Sequence, residues 1–186
     1  MKARGFDALR LDVEAFAAEG GSLEGGWPLG ELARLAASAS DDGPMFSARR
    51  VDWRASGHLR QPRVGEPEIW LEVHAESRLP LQCQRCLKSV DVDVVAQRRL
   101  RFVAGEKAAA ELDEQCDDDV LALTRALDLH DLIEDEMILA LPLVPTHGSC
   151  PEPLVVPADD LAPDEPAAHP FAALAALRAA KPGGSA

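Results

Sequence analysis

Two short stretches, far apart in the chain, constrain the fold more than any other feature. Leu81-Gln82-Cys83-Gln84-Arg85-Cys86-Leu87 holds a C-x-x-C, and Pro145-Thr146-His147-Gly148-Ser149-Cys150 holds an H-x-x-C. Each offers two soft or borderline donors at tight spacing. Zn²⁺ takes four such donors in a tetrahedron, often as two close pairs brought together by the fold. With Cys83, Cys86, His147 and Cys150 as the ligands of one structural zinc, the middle of the chain is tied to its C-terminal half. A closed four-ligand site has no open position, so it predicts scaffolding and not metal catalysis. Two other readings stay open. A redox dithiol wants its first cysteine at a helix N-terminus, whereas here the strand-like run Lys88-Ser89-Val90-Asp91-Val92 follows. The cysteines can also pack without metal as small apolar side chains. Cys116 has no partner nearby in sequence and reads as a free thiol.

Four cysteines are too few and too unevenly placed for a disulfide framework. They fit a reducing cytoplasm, where C-x-x-C means metal or redox work more often than a staple. No apolar run reaches the roughly 20 residues that span a bilayer, and the first residues lack the apolar stretch of a secretory signal. Hydrophobic content of 47% is enough for a core. We expect one domain over residues 1–150 and a tail over 151–186. The net charge of −13 is uneven: residues 1–104 carry 15 basic and 15 acidic side chains, while 105–186 carry 4 and 17. Such asymmetry predicts different partners for the two halves.

Leu9, Leu11, Val13 and Phe16 predict a first strand or turn of helix, which the glycines of residues 20–26 break. Leu32, Leu35 and Ala36 put a short helix at 29–39. From Phe46 to Val103 the period is two. Phe46–Arg60 reads as a strand bent at Ser56-Gly57, followed by a strand in which Ile69, Leu71, Val73 and Ala75 alternate with polar residues. After the C-x-x-C, Val90, Val92, Val94, Ala96, Leu100 and Phe102 share one side, with Arg98 the exception. The C-x-x-C then joins two antiparallel strands. Gly105–Asp119, acidic and poorly periodic, reads as a flexible connection, and residues 120–123 as a short strand. Asp128 caps a helix over 129–141, with Leu129, Leu132, Ile133, Met137 and Ala140 as its buried stripe. Beyond Cys150 the composition predicts disorder, ending in a short docking helix at 170–180 with Phe171, Leu174 and Leu177 on one face. The expected fold is α+β: an antiparallel sheet core with a few packing helices.

No Ser/His/Asp order, P-loop or G-x-G-x-x-G occurs, so nothing specific points to an enzyme. Arg49, Arg50, Arg85, Lys88, Arg98, Arg99 and Arg101 form a basic set which, gathered on one sheet face, is able to follow a phosphate backbone. Arg54, Arg60 and Arg63 add to it, and Trp53 or Trp70 is placed to stack a base. The bland alternative is a solvated face neutralised by the acidic half of the same chain. Glu134, Asp135 and Glu136 read as a solvated or partner-docking surface, favoured over paired catalytic carboxylates.

With these residues in view, the chain resembles the YceD family. The resemblance lies in Leu81–Leu87, in Asp128–Cys150 (above all residues 133–139 and 141–147) and in His169-Pro170-Phe171-Ala172-Ala173-Leu174. It implies a non-enzymatic role in the synthesis, processing or stability of 23S rRNA, hence a large-subunit RNA or assembly-protein partner. It supplies no catalytic residues. Two modes of action follow. In the first, the basic strands contact the RNA. In the second, the chain is an adaptor whose Glu134, Asp135, Glu136, Phe171 and Leu174 engage a basic ribosomal protein or RNA-processing enzyme without touching RNA.

Overall fold

Alternating apolar and polar side chains send alternate residues to opposite faces of a strand, and here they build a five-stranded sheet. The computed structural model of the protein describes residues 5–40 and 48–152. The strands are β1 (Ser22–Pro28), β2 (Arg50–Arg60), β3 (Glu68–Gln82), β4 (Ser89–Val103) and β5 (Asp119–Ala122), and they lie in sequence order. The first three pairings are antiparallel, and β5 runs parallel to β4 from Leu100↔Asp119. The class is α+β, as expected. The Phe171 segment lies outside the described residues.

One face of the sheet carries Val51, Trp53, Ala55, Leu71, Val73, Ala75, Leu79, Leu81, Val94, Ala96, Leu100 and Phe102, all buried in one core. Helices α1 (Val13–Ala18), α2 (Ala33–Ser38) and α4 (Leu129–Leu139) supply Phe16, Leu35, Leu129, Ile133 and Met137 to that core. The stripe expected on the last helix is therefore the one buried. Asp128 caps α4, accepting from the N–H groups of His130 (2.9 Å) and Asp131 (3.3 Å).

Four expectations are corrected. The glycines of residues 20–26 do not end structure: Ser22–Pro28 is an edge strand, and a Cβ at Gly25 would meet the Trp53 ring at 2.9 Å. Ser56-Gly57 is no bend. β2 runs straight through it, and Gly57 is needed because α1 lies so close that a Cβ would meet Phe16 at 2.6 Å and Ala17 backbone at 3.0 Å. The helix expected over 29–39 splits into a 3₁₀ turn (Leu29–Glu31) and α2, with Leu32 non-helical between them. Finally, Gly105–Asp119 contains helix α3 (Glu106–Asp113). Alanine and glutamate favour helix intrinsically, Lys107 and Glu111 pair at i,i+4 (3.6 Å), and only Ala109 is buried, so there was little apolar periodicity to read. A parallel pairing needs a crossover, and α3 provides it between β4 and β5.

Candidate metal centre

The β3–β4 hairpin closes through residues 83–88. Cys83 N–H donates to the Lys88 carbonyl (2.9 Å), and Leu87 N–H to the Cys83 carbonyl (2.8 Å). Leu87 takes a positive φ of 60°, which turns the chain back into β4. Beyond α4, Pro142 and Pro145 forbid further helix, and the extended return lays residues 145–150 beside the hairpin end. Gln84 N–H donates to the Pro145 carbonyl (2.9 Å), and the Arg85 guanidinium donates to the His147 carbonyl.

This docking gathers Cys83, Cys86, His147 and Cys150, whose donor atoms all lie within 4.8 Å of one another. Cys83 Sγ is 3.9 Å from Cys150 Sγ, and Cys86 Sγ is 3.4 Å from His147 Nδ1. Metal–sulfur bonds of about 2.3 Å in a tetrahedron set sulfur–sulfur edges near ~3.8 Å, so the spacing fits a four-coordinate ion. Both hairpin cysteines are buried, while His147 and Cys150 are half-buried. Burial pushes the Cys83 thiol up, but the backbone N–H groups of His147, Arg85 and Cys86 and the His147 ring outweigh it and hold Cys83 at about 5. Burial, together with the neighbouring Cys86 and Cys83, pushes Cys150 up to about 11. The surroundings thus favour a thiolate at Cys83, and the cluster can take a metal ion, with soft donors suited to zinc. Cys83 opens a turn, not a helix, so the geometry a redox dithiol wants is missing. Cys116 lies outside the cluster, its Sγ 3.2 Å from the Leu112 carbonyl. Asp128, His130 and Asp131 also lie close together, but Asp128 is engaged as a helix cap and His130 rests edge-on against Trp27 (4.9 Å).

Most of the basic set is held in place by carboxylates. Arg49 pairs with Asp91 (2.7 Å), Arg50 with Asp52 (2.8 Å), Lys88 with Glu152 (3.3 Å) and Arg101 with Glu68 (3.0 Å). Arg98 pairs with Glu136 (2.7 Å), and Arg99 stands 3.9 Å from Asp118. Arg98, the exception in the apolar row of β4, lies opposite Val73 on the helix-covered side and reaches across to α4. Neither tryptophan is a stacking platform. Trp53 turns into the core and stacks on Trp27 (4.6 Å, 19°). Trp70 is 3% exposed, with Arg60 and Arg99 over its ring at 5.9 and 5.5 Å.

The acidic triplet is engaged internally too. Glu134 is 4% exposed, and its carboxylate accepts from the N–H groups of Arg34 (2.7 Å) and Leu35 (3.2 Å) and from the Arg34 guanidinium (2.8 Å). Asp135 pairs with Arg34, and Glu136 with Arg98. Sequence reasoning missed Arg34, because its partners lie a hundred residues away. Phe171 and Leu174 fall outside the described residues. No helix among the described residues is long and apolar enough to cross a membrane.

A family model described as large ribosomal RNA subunit accumulation protein YceD matches residues 71–178, more than half of the chain. No curated protein and no solved structure matches. The matched region includes both halves of the cysteine–histidine cluster and the strands and helix that bring them together, and the chain belongs to the YceD family.

Proposed function

We propose that this chain is a non-enzymatic factor in the accumulation of large-subunit ribosomal RNA that works by holding a basic protein partner, with a zinc-braced hairpin as its scaffold. Cytoplasmic ribosome assembly is the setting, and the partner is a ribosomal protein or an RNA-processing enzyme. The observation that carries the reading is charge pairing. Arg49, Arg50, Lys88, Arg98, Arg99 and Arg101 each lie within 4 Å of a carboxylate of the same chain. A cation already neutralised releases no counterion from RNA and adds little affinity. By contrast Glu106, Glu114 and Asp117 are exposed and have no ion pair among the described residues. Together with Phe171 and Leu174 in the tail they offer acidic and apolar recognition to a basic partner.

Direct RNA contact is the second reading, and one observation favours it. Arg54 has no ion pair among the described residues and lines a cleft of about 210 Å³ on the open sheet face with Ser56, Glu72, His74, Gln97 and Arg99. Ultraviolet crosslinking in cells, followed by sequencing of bound RNA, separates the two. Background recovery beside a working control supports the protein-partner reading. Discrete sites in the large-subunit RNA or its precursor overturn it and make Arg54 the residue to change.

A further inference from the structure

The strands outrun the helix that covers them. Helix α1 lies against β2 at Gly57, where a Cβ would meet Phe16 at 2.6 Å. Gly57 lies opposite Leu71, and Leu71 opposite Leu100; both leucines are buried. Alternation returns side chains to the same face two residues on, and the next row is Leu59, Ile69 and Phe102. Here α1 flanks the sheet instead of covering it. Glu14 and Ala18, one helical turn apart, stand beside the row as a wall. Phe102 stays buried, but Ile69 is half-buried and Leu59 is 45% exposed.

The row floors a cleft of about 650 Å³. Glu66 and Pro67 of the β2–β3 connection close one side, and Val103 and Leu123 another, with Leu123 N–H donating to the Val103 carbonyl (2.7 Å). A contiguous apolar floor with a polar rim is the form of a recognition site, unlike single exposed apolar residues. The charges say what fits. Glu14 and Glu66 are exposed and have no ion pair among the described residues. Arg101 is the one cation of the described lining, and Glu68 already takes it (3.0 Å). Arg60, Arg63 and Arg125, nearby in sequence, do not line the cleft. Small-molecule sites orient their ligands with a few convergent polar groups, whereas the charged groups here are two rim glutamates and an ion pair already made.

We propose that this cleft docks a basic segment of a protein partner, which seats leucine-sized side chains on Leu59 and Ile69 and sets lysine or arginine against Glu14 and Glu66. The inference rests on the protein-partner reading and adds a contact on the folded domain, separate from the acids about α3 and from the tail. The apolar seat supplies affinity by removing Leu59 and Ile69 from water. The rim acids select a basic partner and repel an acidic one, which is where charge complementarity contributes most.

Titration of the isotope-labelled full chain with a synthetic peptide, Lys-Arg-Leu-Ser-Leu-Arg-Lys, followed by NMR, tests this. The amide resonances of Leu59, Ile69, Val103 and Leu123 are expected to shift together. The same peptide with serine for both leucines, or with glutamate for its basic residues, leaves them in place. Leu59→Glu, at a half-exposed position, weakens binding by about tenfold or more, a change of ~1.4 kcal/mol. Glu66→Lys, in an exposed loop, weakens it too, and the difference from the natural chain fades at high salt because exposed charges are screened. Shifts confined to residues 106–117 overturn the cleft but leave the protein-partner reading standing, since the domain then holds basic peptide elsewhere. Equal binding of the serine peptide, or no shift at millimolar peptide, also overturns the cleft, whereas the protein-partner reading falls only to RNA crosslinks.

Discussion

Glu134 is buried on α4 and yet remains charged. Burial alone would raise its pKa, but the N–H groups of Leu35 and Arg34 and the Arg34 guanidinium bring it below the ordinary value of 4.5. Helix α2 has no side-chain cap of its own, since Leu32 occupies the N-cap position, so the Glu134 carboxylate supplies the missing acceptor from another helix. Replacing Glu134 with Ala leaves buried N–H groups unpaired and is expected to cost about 2–3 kcal/mol, measured by urea unfolding. The pH dependence has a fixed sign. A depressed pKa stabilises the fold fully above the unfolded value, and that contribution is lost as pH falls through the lower folded value. Glu134→Gln should therefore flatten the stability profile below about pH 4.5 relative to the natural chain. Gly57 sets a second limit. Gly57→Ala pushes a methyl group into Phe16 and the Ala17 backbone and is expected to destabilise by about 1–3 kcal/mol, read as a lowered urea midpoint. Asp128 as a cap and Arg98 as the exception in its row are both visible in local pattern. Glu134 looked like any solvated acid, because its partners are remote in sequence.

At the scale of elements, the β3–β4 hairpin is both scaffold and ligand carrier. Its turn fixes two sulfurs, and the segment after α4 brings the other two donors. With zinc bound there, protein purified without chelators should contain about one zinc per chain by elemental analysis; a folded, metal-free protein would sink the site. Cys83→Ser should lose the metal and destabilise by several kcal/mol, since metal binding is coupled to folding. Cys116→Ser, outside the cluster, should stay within about 0.5 kcal/mol of the natural chain. Thermal melting with and without chelator reads both. The strands and α4 were legible because alternation and the 3.6-residue stripe survive wherever one face is buried. β1 and α3 were not. β1 is rich in glycine and sends only Leu23 and Trp27 toward the core, while α3 buries little more than Ala109, so neither carries a periodic apolar signal.

For the whole molecule, the described residues hold the sheet, the core and all four metal-ligand candidates. We propose that the domain ends near residue 150 and that the tail acts in recognition. A chain ending at Glu152 is then expected to keep its thermal midpoint and metal content. The loss of Phe171 and Leu174 should abolish its support of large-subunit RNA accumulation, read as the ratio of large- to small-subunit RNA in complemented cells. A truncation that unfolds would instead make the tail part of the fold. The sequence by itself determined the α+β class, the C-x-x-C in the connection between two strands and the ligand types, because these rest on local periodicity and donor chemistry. Only the tertiary structure decided which charges remain free. Arg98 and Glu136, assigned from sequence to an RNA surface and a protein surface, turned out to face each other at 2.7 Å. A charge is neutralised by whatever lies within a few ångströms, and the chain order does not contain that distance.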